Sequence, residues 1–142
     1  ILSFDTRSLP DNAVVLGAAL QVKLQSVKGT NPFFTHGSLL YDMRTPYFGA
    51  GLGLTTADFQ AGANYASAGS FNSTPSSGWY SAYIPSATFS AINKTNYTQF
   101  RLRYSRDDNE DRAMDALAFY SGNYGTLAWR PALVVQYYIP AP

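Results

Sequence analysis

Gln99-Phe100-Arg101-Leu102-Arg103-Tyr104 puts an apolar side chain at every second position and a polar one between. Successive strand residues point to opposite faces, whereas helix faces repeat every ~3.6 residues, so this stretch reads as a half-buried strand. The period of two recurs on both sides of it. Leu20, Val22 and Leu24 alternate with Gln21, Lys23 and Gln25, and Leu133, Val135, Tyr137 and Ile139 share a face opposite Val134, Gln136 and Tyr138. Shorter strands are expected over residues 2–6, 39–44, 79–84 and 116–121, each bounded by turn-favouring Gly, Pro, Asn, Asp or Ser. Two short helical turns are expected, one after a Thr56 cap over 57–61 and one after a Ser86 cap over 87–92.

About seven short strands with hardly any helix predict an all-β fold: one antiparallel β-sandwich, jelly-roll-like, spanning residues 1–142 as a single domain. A content of 46% hydrophobic and 15% aromatic residues is enough for a core of this size without staples, and the chain has no cysteine to form any. That absence also removes thiolate nucleophiles and cysteine-based zinc sites. Charged residues make up only 13%, about half the usual share. The net charge of +1 offers no basic field for nucleic acid. No apolar run approaches the roughly 20 residues of a membrane-spanning helix. The chain opens on Ile1 with no initiator Met, as a mature or partial product would.

His36 is the single histidine, and no Gly-x-Ser-x-Gly elbow accompanies it, so a serine triad is not expected. Gly49, Gly51 and Gly53 lack the spacing and the βαβ setting of a phosphate loop. The segment Arg106-Asp107-Asp108-Asn109-Glu110-Asp111-Arg112, with Asp115 beyond it, holds more than half of the nine acidic residues. Asp107, Asn109 and Asp111 stand two apart, and with Asp115 they are candidate calcium ligands, since Ca²⁺ takes six to eight oxygens. The competing expectation is a structural network in which Arg101, Arg103, Arg106 and Arg112 pair with these acids. A glycosidase would need a desolvated acid opposite a second carboxylate, which neighbouring loop acids do not supply, so no catalytic residue is assigned. Asn72, Asn93 and Asn96 begin Asn-x-Ser/Thr triplets.

Trp79, Tyr80, Tyr83, Tyr124 and Trp129 form a candidate aromatic binding surface, suited to sugar rings or to a protein neighbour. The chain as a whole resembles the extracellular domains called DNRLRE, whose relatives include disaggregatase-related repeats and carbohydrate-binding modules. Two stretches carry the resemblance: Leu2-Ser3-Phe4-Asp5-Thr6-Arg7-Ser8-Leu9-Pro10, followed by a strand over 13–24, and Phe119-Tyr120-Ser121-Gly122 with Arg130-Pro131-Ala132-Leu133-Val134-Val135-Gln136-Tyr137. It implies a jelly-roll sandwich in a secreted or cell-surface microbial protein, without enzymatic activity. Here the tryptophan-rich middle of the carbohydrate-binding relatives is absent. The relatives usually carry strand-forming sequence before the Phe-Asp-Thr segment, and the expectation here is a sandwich without that strand, which leaves a groove. The expected function is a non-catalytic extracellular structural or binding module of a microbial surface or secreted protein, of adhesion or glycan-binding type. The alternative is a subunit of an extracellular filament or sheath, a homopolymer joined by strand addition between neighbouring subunits.

Overall fold

In a computed structural model describing residues 1–142, the alternation around Leu20, Val22 and Leu24 extends into one strand of 16 residues, β2 (Val14–Gly29). Seven more strands complete the fold: β1 (Leu2–Asp5), β3 (Leu39–Arg44), β4 (Tyr65–Ser70), β5 (Trp79–Tyr83), β6 (Tyr97–Tyr104), β7 (Asp115–Phe119) and β8 (Ala132–Tyr138). All pairings are antiparallel. One sheet runs β1-β6-β3-β4; in the other β5 and β7 flank β2, and β8 also pairs with β2. The two layers form the expected all-β sandwich. The chain crosses between the layers after β1, β2, β4, β5 and β6, which is the jelly-roll habit of sending consecutive strands to opposite sheets.

β2 organises the second sheet. Its Ala19–Gln21 stretch faces β5 and β8 at once, so these two strands lie on opposite edges. β7 takes the remaining stretch, Leu24 to Gly29, on the edge opposite β5. β7 and β8 therefore follow one another in line along a single edge. Leu24 faces Phe119 and Gln21 faces Ala132, so three steps along β2 correspond to thirteen along the partner. The surplus, residues 120–131, is pushed out as an excursion that ends in a 3₁₀ turn, Leu127–Trp129.

Inward side chains of the two sheets meet in a core built on Leu20, Val22, Tyr41, Met43, Tyr80 and Phe100, all essentially inaccessible. Burying aromatic and aliphatic side chains of this size stabilises by about 1.5–3 kcal/mol each before entropy is counted. The Tyr41 ring packs edge-on against Phe71 and Phe100, and its hydroxyl donates to the Tyr83 carbonyl oxygen at 2.8 Å.

β4 had no counterpart in the expected strands, because Tyr-Ala-Ser-Ala-Gly-Ser carries no alternation of bulky residues. Its small residues have a packing reason: a Cβ on Gly69 would fall 2.5–2.8 Å from the Tyr41 ring and hydroxyl. The helical turns also differ in detail. The Thr56–Phe59 turn is 3₁₀ and begins at Thr55, whose N–H and hydroxyl both donate to the Asp58 carboxylate. The 3₁₀ turn Ser86–Ala91 is capped by Pro85 instead of Ser86, with the Thr88 hydroxyl bonded to the Pro85 carbonyl. A one-turn helix, α1 (Pro32–Thr35), forms in the aromatic stretch read as loop, with the Asn31 side chain accepting from the Phe33 amide.

Gly29, at the end of β2, has φ +68°, and a Cβ there would lie 1.5 Å from the Met114 carbonyl oxygen. Gly29→Ala is expected to lower stability by at least about 1 kcal/mol, seen as a lower urea midpoint. Gly51→Ala, which meets nothing within 4 Å, leaves the midpoint unchanged.

Candidate functional site

Alternation along β5 sorts the expected aromatic surface. Trp79 and Tyr83 point outward and Tyr83 is 86% exposed, but Tyr80 faces the core at 1% exposure and stacks on Phe33 at 5.4 Å. Tyr80 is thus a core residue and not part of a binding surface. Its burial raises its hydroxyl pKa. Tyr124 and Trp129, both in the excursion, stack nearly parallel with centroids 5.8 Å apart. Tyr120 packs against both, at 4.5 and 4.9 Å; nothing in the strand periodicity had singled it out. The Arg130 guanidinium holds the excursion closed by donating to the Tyr124 carbonyl at 2.6 Å.

Lys23 links this group to β5. Its ammonium sits 5.3 Å from the Trp79 ring and 5.8 Å from the Trp129 ring, within cation–π range of both. Trp79, Lys23 and Trp129 make one end of the outer face of the second sheet. At the other end Tyr83, Ala19 and Val134 form a cross-strand row beside a shallow depression of about 210 Å³ bordered by Gly17 and Gln136. The face is an aromatic shelf with one fixed positive charge.

The arginines do not go where they were expected. Arg101 and Arg103 turn to Asp42 on β3, buried at 1%: Arg101 at 2.7 and 2.9 Å and Arg103 at 3.2 and 3.3 Å. The Ser67 amide donates to the same carboxylate at 2.7 Å. Arg101 also donates to the carbonyls of Asp58 and Ala61 at 3.0 and 2.7 Å and lies 4.5 Å from the Phe48 ring, fastening the long β3–β4 connection to the sheet. Register explains the choice: Asp42 faces Arg101 directly across the β3–β6 ladder, whereas the acidic loop begins beyond the end of β6. Arg106 and Arg112 are exposed and form no salt bridge, so the expected network around the loop acids does not exist.

The acidic loop is instead held by its own backbone. Asp108 accepts from the Glu110 amide, Asn109 from Asp111, and Asp111 from Ala113. Glu110 and Arg112 take left-handed φ values of 61° and 59°. The Asn109 side-chain amide donates to Asp111 Oδ2 at 2.8 Å and to Asp115 Oδ2 at 3.0 Å. Three of the four candidate ligands are therefore brought together, and Asp107, exposed, is left outside the hydrogen-bonded group. No three Asp, Glu or His side chains converge at metal-binding distance. His36 Nδ1 lies 3.6 Å from Asp115 Oδ2 and 2.8 Å from the Thr35 hydroxyl.

No family model, curated protein or solved structure matches the chain. No helix is long and apolar enough to cross a membrane.

Burial pushes the Asp42 carboxyl upward, but the Ser67 amide and the two guanidiniums outweigh it and hold it below the ordinary carboxylate range. A lowered folded-state pKa means stability that is present above the unfolded value, near 4, and lost as pH falls through the folded one. The melting midpoint is expected to drop as pH falls below roughly 4, and Asp42→Asn flattens that dependence. Asp42→Ala leaves Arg101 without its partner and costs about 3–5 kcal/mol in denaturant unfolding.

Proposed function

We propose that the chain is a non-catalytic extracellular structural module that joins neighbouring subunits by strand addition along the open side between β1 and β8. The supporting observation is the cleft on that side. β1 pairs only with β6 and β8 only with β2, so each leaves an outer edge of unpaired backbone groups. Leu2, Phe4 and Leu9 from one layer and Leu133 and Val135 from the other pack on the core yet stay partly exposed. Two adjoining hollows of about 270 and 230 Å³ run along the line, the first bordered by Leu2, Phe4 and Pro131, the second by Phe4, Leu9, Leu133 and Val135.

An extended segment from a neighbouring copy, apolar at alternate positions, suits such a cleft. Its backbone satisfies the free edge and its inward side chains complete the core between the layers. The first sheet is four strands wide and the second three rows wide, so one added strand equalises them. A head-to-tail contact of this kind that does not close generates a filament. The low charge content and the resemblance to cell-surface sandwich domains agree with an extracellular setting. Electron microscopy and light scattering are expected to find concentration-dependent linear assemblies. Leu9→Glu, at the mouth of the cleft, abolishes them with an unchanged circular dichroism spectrum. Monodisperse monomer at high concentration sinks the reading.

A second reading rests on the aromatic shelf. Trp129 is exposed beside Tyr124 and the Lys23 ammonium, an arrangement that suits stacking on a sugar ring. Binding from a glycan panel is expected to change tryptophan fluorescence, and Trp129→Ala removes the response. An unchanged spectrum across the panel rules the shelf out as a glycan site.

A further inference from the structure

We infer that the loop between β6 and β7 is a calcium site, built on Asn109, Asp111 and Asp115 and independent of how subunits assemble. Asp115 opens β7, and its side chain is only 2% exposed. A carboxylate so buried needs compensation by cations or by a full set of hydrogen bonds. It has neither. No lysine or arginine pairs with it, and His36, the nearest basic group, stands 3.6 Å away with the same nitrogen engaged by Thr35. Oδ2 accepts from the neutral Asn109 amide, and Oδ1 is buried without any partner.

Asp111 supplies the second half of the argument. Its Oδ2 is turned to the same Asn109 nitrogen as Asp115 Oδ2, so two carboxylate oxygens converge on one point held by a neutral amide. A divalent cation at that point compensates the buried charge, and bidentate binding by Asp115 engages the free Oδ1 as well. The donors are hard oxygens: two carboxylates and the Asn109 amide oxygen after rotation of that side chain, with water completing the shell. This set matches the preference of Ca²⁺ for six to eight oxygens at roughly 2.3–2.6 Å; it has no sulfur donor, and its one neighbouring nitrogen, His36 Nδ1, is engaged by the Thr35 hydroxyl. Only two of the donors are acidic, so the loop gathers no cluster of three carboxylates.

The test is calorimetric titration of the full chain with calcium chloride, paired with melting curves in calcium and in chelator. One site per chain is expected, with magnesium at least about tenfold weaker because it demands a tighter octahedron. Saturating calcium raises the melting midpoint by at least about 4 °C. Asp115→Asn and Asp111→Asn each abolish the heat of binding. Asp111 is exposed, so its variant remains informative if the Asp115 variant fails to fold. Asp107→Asn retains binding. The inference is overturned by the absence of heat and midpoint shift at 10-millimolar-range calcium, by binding that survives Asp111→Asn, or by equal affinity for magnesium.

Discussion

One long strand has to satisfy neighbours on both of its edges, and the rest of the molecule is arranged around that demand. β2 offers N–H and C=O groups alternately to its two edges over 16 residues, and three strands are needed to take them up. The same alternation that directs backbone groups to the edges directs Leu20 and Val22 into the core. It leaves Ala19, Gln21 and Lys23 on the outer face. Because β7 and β8 share an edge without being continuous, the chain between them is extruded. That extrusion carries Tyr120, Tyr124 and Trp129 to a place beside Lys23 and Trp79.

On the first sheet the comparable constraint is electrostatic. Asp42 is buried on β3 with two guanidiniums from β6, and a charge so placed is tolerated only when its hydrogen bonds are nearly complete. The Arg101 donors left over fasten the β3–β4 connection, so one ion cluster supports both the ladder and a long loop. The loop before β7 is the reverse case. Its buried Asp115 has an oxygen with no partner, and the contrast between the two carboxylates separates a structural ion cluster from a proposed ligand site.

The two candidate surfaces answer different chemical needs. The β1–β8 side presents unpaired backbone beside half-buried core residues, which calls for an extended chain. The outer face of the second sheet has its backbone already paired and presents rings and one ammonium, which calls for a ligand recognised by side chains. They meet at the 120–131 excursion, which lends Gly122, Arg130 and Pro131 to the cleft and Tyr124 and Trp129 to the shelf.

The sequence by itself determined the all-β class and the inward sets on β2 and β6, because side-chain alternation is a local property that survives without knowledge of partners. The same logic, applied strictly along Trp79-Tyr80-Ser81-Ala82-Tyr83, would have put Tyr80 inside. Composition hid β4, whose small residues make sense only beneath the Tyr41 ring. It also misdirected Arg101 and Arg103, since proximity along the chain favoured the loop acids and cross-strand register favoured Asp42. Which strands pair, which edges stay free and which carboxylates end buried were decided by tertiary structure alone. Those outcomes depend on contacts between residues more than a hundred positions apart, such as Val14 with Tyr138, and no local pattern encodes them.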